Sequence, residues 1–304
     1  MRIINNLALA SMASPAKALL EKLHTAIVRI APERKKEFDD LYPEFTLDYI
    51  DCDKWILHVN DDKRIQISSF VIEFLWATAY AHFVFYTRVF QGKQFSARTE
   101  ISLGSDPKVG EAMRLLKWAV EKLINKDSAP WPTDLPKPKM IMGDTSDEGV
   151  ADEMALGSAA CLIHHELGHV ALGHIGGSEI QIENDADLHS WEWIIGDRRD
   201  YDAKDLSKRL LLLVHAYSVG IILDVHRGYT MLISHPRSID RLFKLLTHFE
   251  VPENHQTYAY AFATLHLHLE NTENRLPIQQ AAYESFFESF DEVINHISSF
   301  PTIT

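Results

Sequence analysis

Apolar positions along this chain recur mostly at helical spacing. Leu19, Leu20, Leu23, Ile27 and Ile30 form one stripe behind Ser14-Pro15, where Ser as N-cap and Pro at the first position start a helix. Pro32 and Pro43 bracket a short charged helix. The period drops to two across residues 55–59 and 64–67, which flank the polar run Asn60-Asp61-Asp62-Lys63 and predict a β-hairpin. Ser68 or Ser69 then opens a long aromatic-rich helix reaching about residue 90. Residues 98–103 alternate weakly, as a strand would, and 109–125 return to an amphipathic helical pattern.

Pro130, Pro132, Pro136 and Pro138 crowd one short stretch that reads as a linker. It divides the chain into an N-terminal helical and β-hairpin subdomain, 1–138, and a core, 139–304. Within the core, 139–142 reads as a short strand, and this segment or 98–103 is expected to line a substrate cleft. Helices are expected over 151–174, stopped by Gly176-Gly177, then over 179–195, 205–224, 237–249, 256–271 and 278–298. The most apolar runs, 74–87 and 210–223, fall short of the roughly 18–20 residues that a membrane span needs. They read as buried core helices, and no membrane partner is expected. The predicted fold class is α+β, mainly α-helical, with a small β-hairpin or sheet.

The chemistry concentrates in His165-Glu166-Leu167-Gly168-His169. Residues i and i+4 share a helix face, so both imidazoles can present a ring nitrogen to one metal ion, with Glu166 beside them as a base. With 16 histidines in 304 residues, chance alone yields HExxH in roughly 5% of such chains, so the motif needs support. Support comes from Glu183-Asn184-Asp185-Ala186-Asp187. On a helix, Glu183 and Asp187 lie on one face. Glu183 can supply a third ligand, completing the His2Glu set of catalytic zinc sites, and Asp187 can accept the outer N–H of a ligand histidine. Asp185 is the rival third ligand. Leu172 and Ile175 stand where a metzincin would need Gly and His, which excludes that class. His164 and Cys161 read as helix packing, and His174 as a neighbour of the site rather than a ligand. A further candidate element is Ser234-His235-Pro236 with Arg241. His235, with Arg241, can stabilise a developing oxyanion. Alternatively, His235 caps a helix and Arg241 pairs with a carboxylate.

Charge and cysteine content narrow the partners. The net charge is −13, from 30 Lys and Arg against 43 Asp and Glu, and no basic run is present. Nucleic acid is therefore a poor partner, whereas a basic protein or peptide substrate suits the surface. The two cysteines, Cys52 and Cys161, have no metal-pair spacing and suggest a reducing compartment. Asn5 and Asn6 interrupt the apolar N-terminal stretch, so no signal peptide is expected.

The order HELGH, ExxAD, SHPxxxxR resembles gluzincin peptidases, in particular the soluble core of HtpX-like zinc peptidases. That resemblance covers roughly 160–245 and implies Zn2+ held by His165, His169 and Glu183, with His235 stabilising the transition state. The chain's length and its segment 72–80, IEFLWATAY, also look like the Lit phage-exclusion peptidase family, which is the favoured likeness. This likeness implies a cytoplasmic protease of bacterial defence, with a translation factor as the precedent substrate. Two alternatives stand beside it. ImmA/IrrE-like regulators share HExxH and an acidic-Ala-acidic segment, but usually carry Phe-Ala where this chain has His189-Ser190. A structural zinc closed by His174 or Cys161 would have no need of Glu166.

Overall fold

The computed structural model describes residues 14–43, 45–60, 62, 64–90, 106–125, 129–141, 143–174, 179–196, 203–227, 236–270, 290, 291 and 295. Within these, helices α1 (Lys17–Arg29), α2 (Lys35–Leu41), α3 (Ser69–Phe85) and α4 (Pro107–Asn125) surround a three-stranded sheet and the metal-motif helix α5 (Asp147–Leu172). Four more follow: α6 (Ile180–Ile194), α7 (Lys204–Arg227), α8 (Ser238–His248) and α9 (Gln256–Glu270). The mainly helical α+β class holds. The expected strand at 98–103, the helix at 278–298, Gly176-Gly177 and His235 lie outside the described residues, apart from Phe290, Asp291 and Asn295 within that helix.

Local chemistry sets the helix ends. α1 begins at Lys17 with Ala16 at its N-cap and no side-chain cap, later than Ser14-Pro15 predicts, because Ser14 Oγ accepts from the Ala16 N–H in a turn ahead of it; Ser68 Oγ accepts from Val71 to cap α3. Ser146 caps α5 through the Gly149 N–H, while Asp147 and Glu148 sit in its first turn, where the helix dipole favours acids. Gly173 ends α5 in the left-handed conformation, φ 70°, three residues before the glycine pair expected to do so.

The hairpin forms as expected: β2 (Leu57–Val59) pairs antiparallel with β3 (Ile65–Ser68). A strand not foreseen, β1 (Leu47–Ile50), lies parallel to β3, giving the order β1-β3-β2 with β2 at an edge. Leu47 and Tyr49 alternate inward along β1, and the Tyr49 hydroxyl donates to the Leu20 carbonyl at 3.0 Å, tying the sheet to α1. The expected strand at 139–142 does not form over 139–141. There the Lys139 and Met140 N–H groups both donate to Asp152, and Met140 takes φ 55°, so the segment has neither the amides nor the extended backbone of a strand.

α5 is the axis of the molecule. It is buried on most of its circumference against α1, α3, α6, α7 and β2. The Trp76 indole N–H donates to Asp152 at 2.7 Å, joining α3 to α5, and buried Lys122 bridges Glu73 and Asp53 at 2.9 and 2.7 Å, joining α4 to α3 and to the β1–β2 connection. Two helices, Ser69–Arg88 (α3 and the turn after it) and Lys204–His226 within α7, are long and apolar enough to cross a membrane; most of each is buried inside the protein. Gly168 sets how closely α6 can lie on α5. A Cβ at that position would lie 2.9 Å from the Ala186 carbonyl oxygen, so only glycine permits the observed approach.

Candidate active site

The close α5–α6 contact brings three side chains together. His165 and His169 stand one turn apart near the end of α5, and Glu183 lies in the first turn of α6. Their ligand atoms all fall within 4.8 Å of one another, and all three residues are buried. His165 Nε2 lies 3.2 Å from His169 Nε2 and 3.3 Å from Glu183 Oε2; His169 Nε2 lies 3.5 Å from Glu183 Oε1. Two imidazole nitrogens and a carboxylate facing one point are a donor set suited to a divalent cation. Among the described residues, this is the group of three or more such side chains that can hold a metal ion.

Asp185, the rival ligand, turns outward and accepts from Gln181 at 2.7 Å. Asp187, one helical turn beyond Glu183, reaches the opposite side of His165: its Oδ1 lies 2.9 Å from Nδ1. Arg241 grips Asp187 with Nε, at 2.7 Å to Oδ2, and with a second nitrogen on Oδ1. The guanidinium therefore lies behind the His165 ring, 3.2 Å from Nδ1, engaged with a carboxylate. Of the two roles the sequence offered Arg241, this geometry matches the carboxylate partner.

Electrostatics follow from this packing. Burial lowers the His165 pKa and so does Arg241, but Asp187 and Glu183 outweigh them, raising it to about 9 without a cation. Burial and the neighbouring His165 hold His169 down to about 4. Burial alone would raise the Asp187 carboxyl, yet Arg241 and His165 keep it well below the ordinary carboxylate range. Glu166 is pushed up to about 7 by burial, against the pull of His165 and of a backbone N–H. That N–H belongs to Val59 on the edge strand and donates to Glu166 Oε2 at 2.9 Å. Thus β2, not 139–141, is the strand seen beside the metal helix.

The flanking residues sort by partner. His164 points away from the cluster, with Nε2–H donating to the Ile27 carbonyl at 3.0 Å and its ring stacked on Trp193. Cys161 is buried, and burial raises its thiol well above the usual range. His174 meets His169 at the outer nitrogen, Nδ1 to Nδ1 at 3.3 Å. Sequence reasoning missed Tyr217, whose hydroxyl donates to Asp187 at 2.9 Å, and Val59. A lone tyrosine within the apolar run 210–223 was the available signal for the first; no signal marked the second.

Comparison with known proteins bears on the same stretch. The family model described as Peptidase U49 matches residues 65–263. A "Cell death peptidase" of Escherichia coli (strain K12) is 26% identical over 258 residues, covering 79% of this chain and 84% of that one. No solved structure matches. Since the model spans more than half of the chain, including α5, α6 and Arg241, the protein belongs to the Peptidase U49 family and is a hydrolase of peptide bonds.

Proposed function

We propose that the protein is a zinc-dependent endopeptidase that cleaves a protein substrate, with His165, His169 and Glu183 as ligands. The observation that carries this reading is the convergence of two Nε2 atoms and one carboxylate beside Glu166. When bound, zinc would acidify water and polarise a peptide carbonyl. Glu166 takes the proton from the attacking water and delivers it to the leaving amine. Asp187 keeps the proton of His165 on Nδ1, leaving Nε2 for the cation. His235 is the donor that we assign to the developing oxyanion, and Arg241 acts from behind through Asp187.

The substrate, in this reading, lies extended beside β2, an edge strand among the described residues, whose Val59 amide meets the base. The name "Cell death peptidase" of the Escherichia coli relative and the resemblance of the sequence to phage-exclusion peptidases support a cytoplasmic role in phage defence, with a translation factor as the candidate target that this resemblance offers. The structural-zinc alternative finds no support in the neighbours: His174 meets the far nitrogen of His169. The test is a comparison of newly formed protein termini in cells expressing the active chain and its Glu166→Gln form, together with zinc analysis of the purified protein. Termini common to both forms, or protein without bound zinc, would refute the reading.

A further inference from the structure

Four helices meet at one carboxylate. Asp187 from α6 receives His165 from α5, Arg241 from α8 and Tyr217 from α7. Asp187 is 1% exposed and Tyr217 6%. The chemistry of each group sets the hydrogen-bond directions. Trp191 Nε1–H can only donate, and it reaches the Tyr217 oxygen at 2.7 Å. The Tyr217 proton is then free to point at Asp187 Oδ1, 2.9 Å away. Asp187, ionised beside Arg241, can only accept. Asp187 Oδ1, nearer to His165 Nδ1 at 2.9 Å than the Arg241 nitrogen at 3.2 Å, therefore holds a proton on Nδ1, and Nε2 is the atom that faces the cation site. Trp191 to Tyr217 to Asp187, with His165 donating from the other side, is a directed chain.

Arg241 alone does not fix this arrangement. Its fork occupies both carboxylate oxygens, and Oδ1 is shared among three donors. Tyr217 is the donor that approaches from α7, and its ring also lies 5.1 Å from the Arg241 guanidinium carbon. It thus touches both members of the ion pair. Without its hydroxyl, the carboxylate can turn toward Arg241 and away from His165, and the Trp191 N–H is left buried without its acceptor.

We propose that Tyr217 is a positioning residue of the metal centre: it locks Asp187 in the orientation that aims His165 Nε2 at the cation. The proposal rests on the zinc-site reading above and adds a residue to it. The test uses the full chain, loaded with zinc or with cobalt(II), and a Tyr217→Phe variant that keeps the ring. Competition with a chromophoric chelator should show zinc affinity lowered about 10-fold, at the lower end of the range for groups that orient metal ligands. The visible cobalt(II) spectrum should shift, because one imidazole is held less firmly. In an Asp187→Asn background, the same change should cost no further metal affinity, since Tyr217 reaches His165 through Asp187. Unchanged affinity and an unchanged cobalt spectrum, with nothing but a lower melting temperature, would show a packing residue and overturn the proposal. So would additive losses in the double variant. Failure of the zinc reading would look different: the unaltered chain itself would bind neither metal.

Discussion

Among the described residues, two clusters of histidines in the interior are built on opposite principles. At the α5–α6 contact, His165 and His169 share their space with Glu183 and Asp187. Between α3, α7 and α9, His82, His215 and His268 share theirs with one another: His82 Nδ1 lies 3.2 Å from His215 Nδ1, and its Nε2 lies 2.8 Å from His268 Nε2. The Tyr260 hydroxyl lies 2.9 Å from His215 Nδ1. In the first group, lone pairs converge on a point. In the second, the two nitrogens of His82 face opposite neighbours, so the rings form a line with no common focus. Burial holds all three of the second group below the ordinary value, His215 to about 4 and His268 to about 3, whereas the acids of the first raise His165 to about 9. Histidine in a core is thus no signal by itself; the carboxylate beside it decides what it can do.

The sharpest way to break this contrast is to remove one member of each group. His165→Ala or His169→Ala should abolish metal binding and lower peptidase activity on the order of 1000-fold or more, whereas His82→Ala should leave the metal content at one ion per chain. Metal analysis of both variants checks this, and loss of the ion in His82→Ala would end the distinction. Glu166→Gln should keep the ion and lower kcat by roughly 100–10,000-fold, because the amide cannot take up the proton of water. A variant that loses zinc instead would make Glu166 a ligand.

Titration separates His165 from the second group by sign, while His169, held down to about 4, shares the acid-side behaviour of the second group. The line of three histidines is neutral in the fold, so its contribution is fully present above the unfolded value of about 6.5 and is lost as pH falls toward 4 and 3. In metal-free protein, His165 does the reverse: its contribution is present below about 6.5 and is lost as pH rises through about 9. Thermal melts of chelator-treated protein should therefore fall off on the acid side, and His268→Gln should flatten that limb. Zinc uptake between pH 7 and 9 should release a proton from the first group alone, measurable with a pH indicator. Gly168→Ala should produce the smallest of these effects, about 1–3 kcal/mol of destabilisation as α6 moves off α5, with weaker zinc binding.

What was legible in the chain depends on the range of each interaction. His165 with His169, and Glu183 with Asp187, are i,i+4 pairs on single helices, so spacing alone gave their common faces. The choice of Glu183 over Asp185 rests on the same periodicity, since Asp185 sits on another side of α6. The Val59 amide on Glu166 and the Tyr217 hydroxyl on Asp187 join residues far apart in sequence, and depend on how β2 and α7 dock against α5 and α6. β1 was missed because a four-residue strand pairing in parallel leaves only a brief alternation. The misread at 139–141 came from taking a short apolar run as a strand, where the Asp152 side chain captures the amides.

Gly168 changes how the five-residue motif should be written. Its two middle positions are conventionally left open, yet the structure opens only one of them. Leu167 faces the core, where another apolar side chain of similar volume can stand, while at 168 the Ala186 backbone leaves no room for any side chain. A saturation library scored for metal affinity should return several residues at 167 and rank glycine first at 168, with alanine weakened and larger side chains lost. For this chain, the informative pattern is therefore HExGH, a narrower filter whose extra letter is set by the neighbouring helix rather than by the chemistry at the cation.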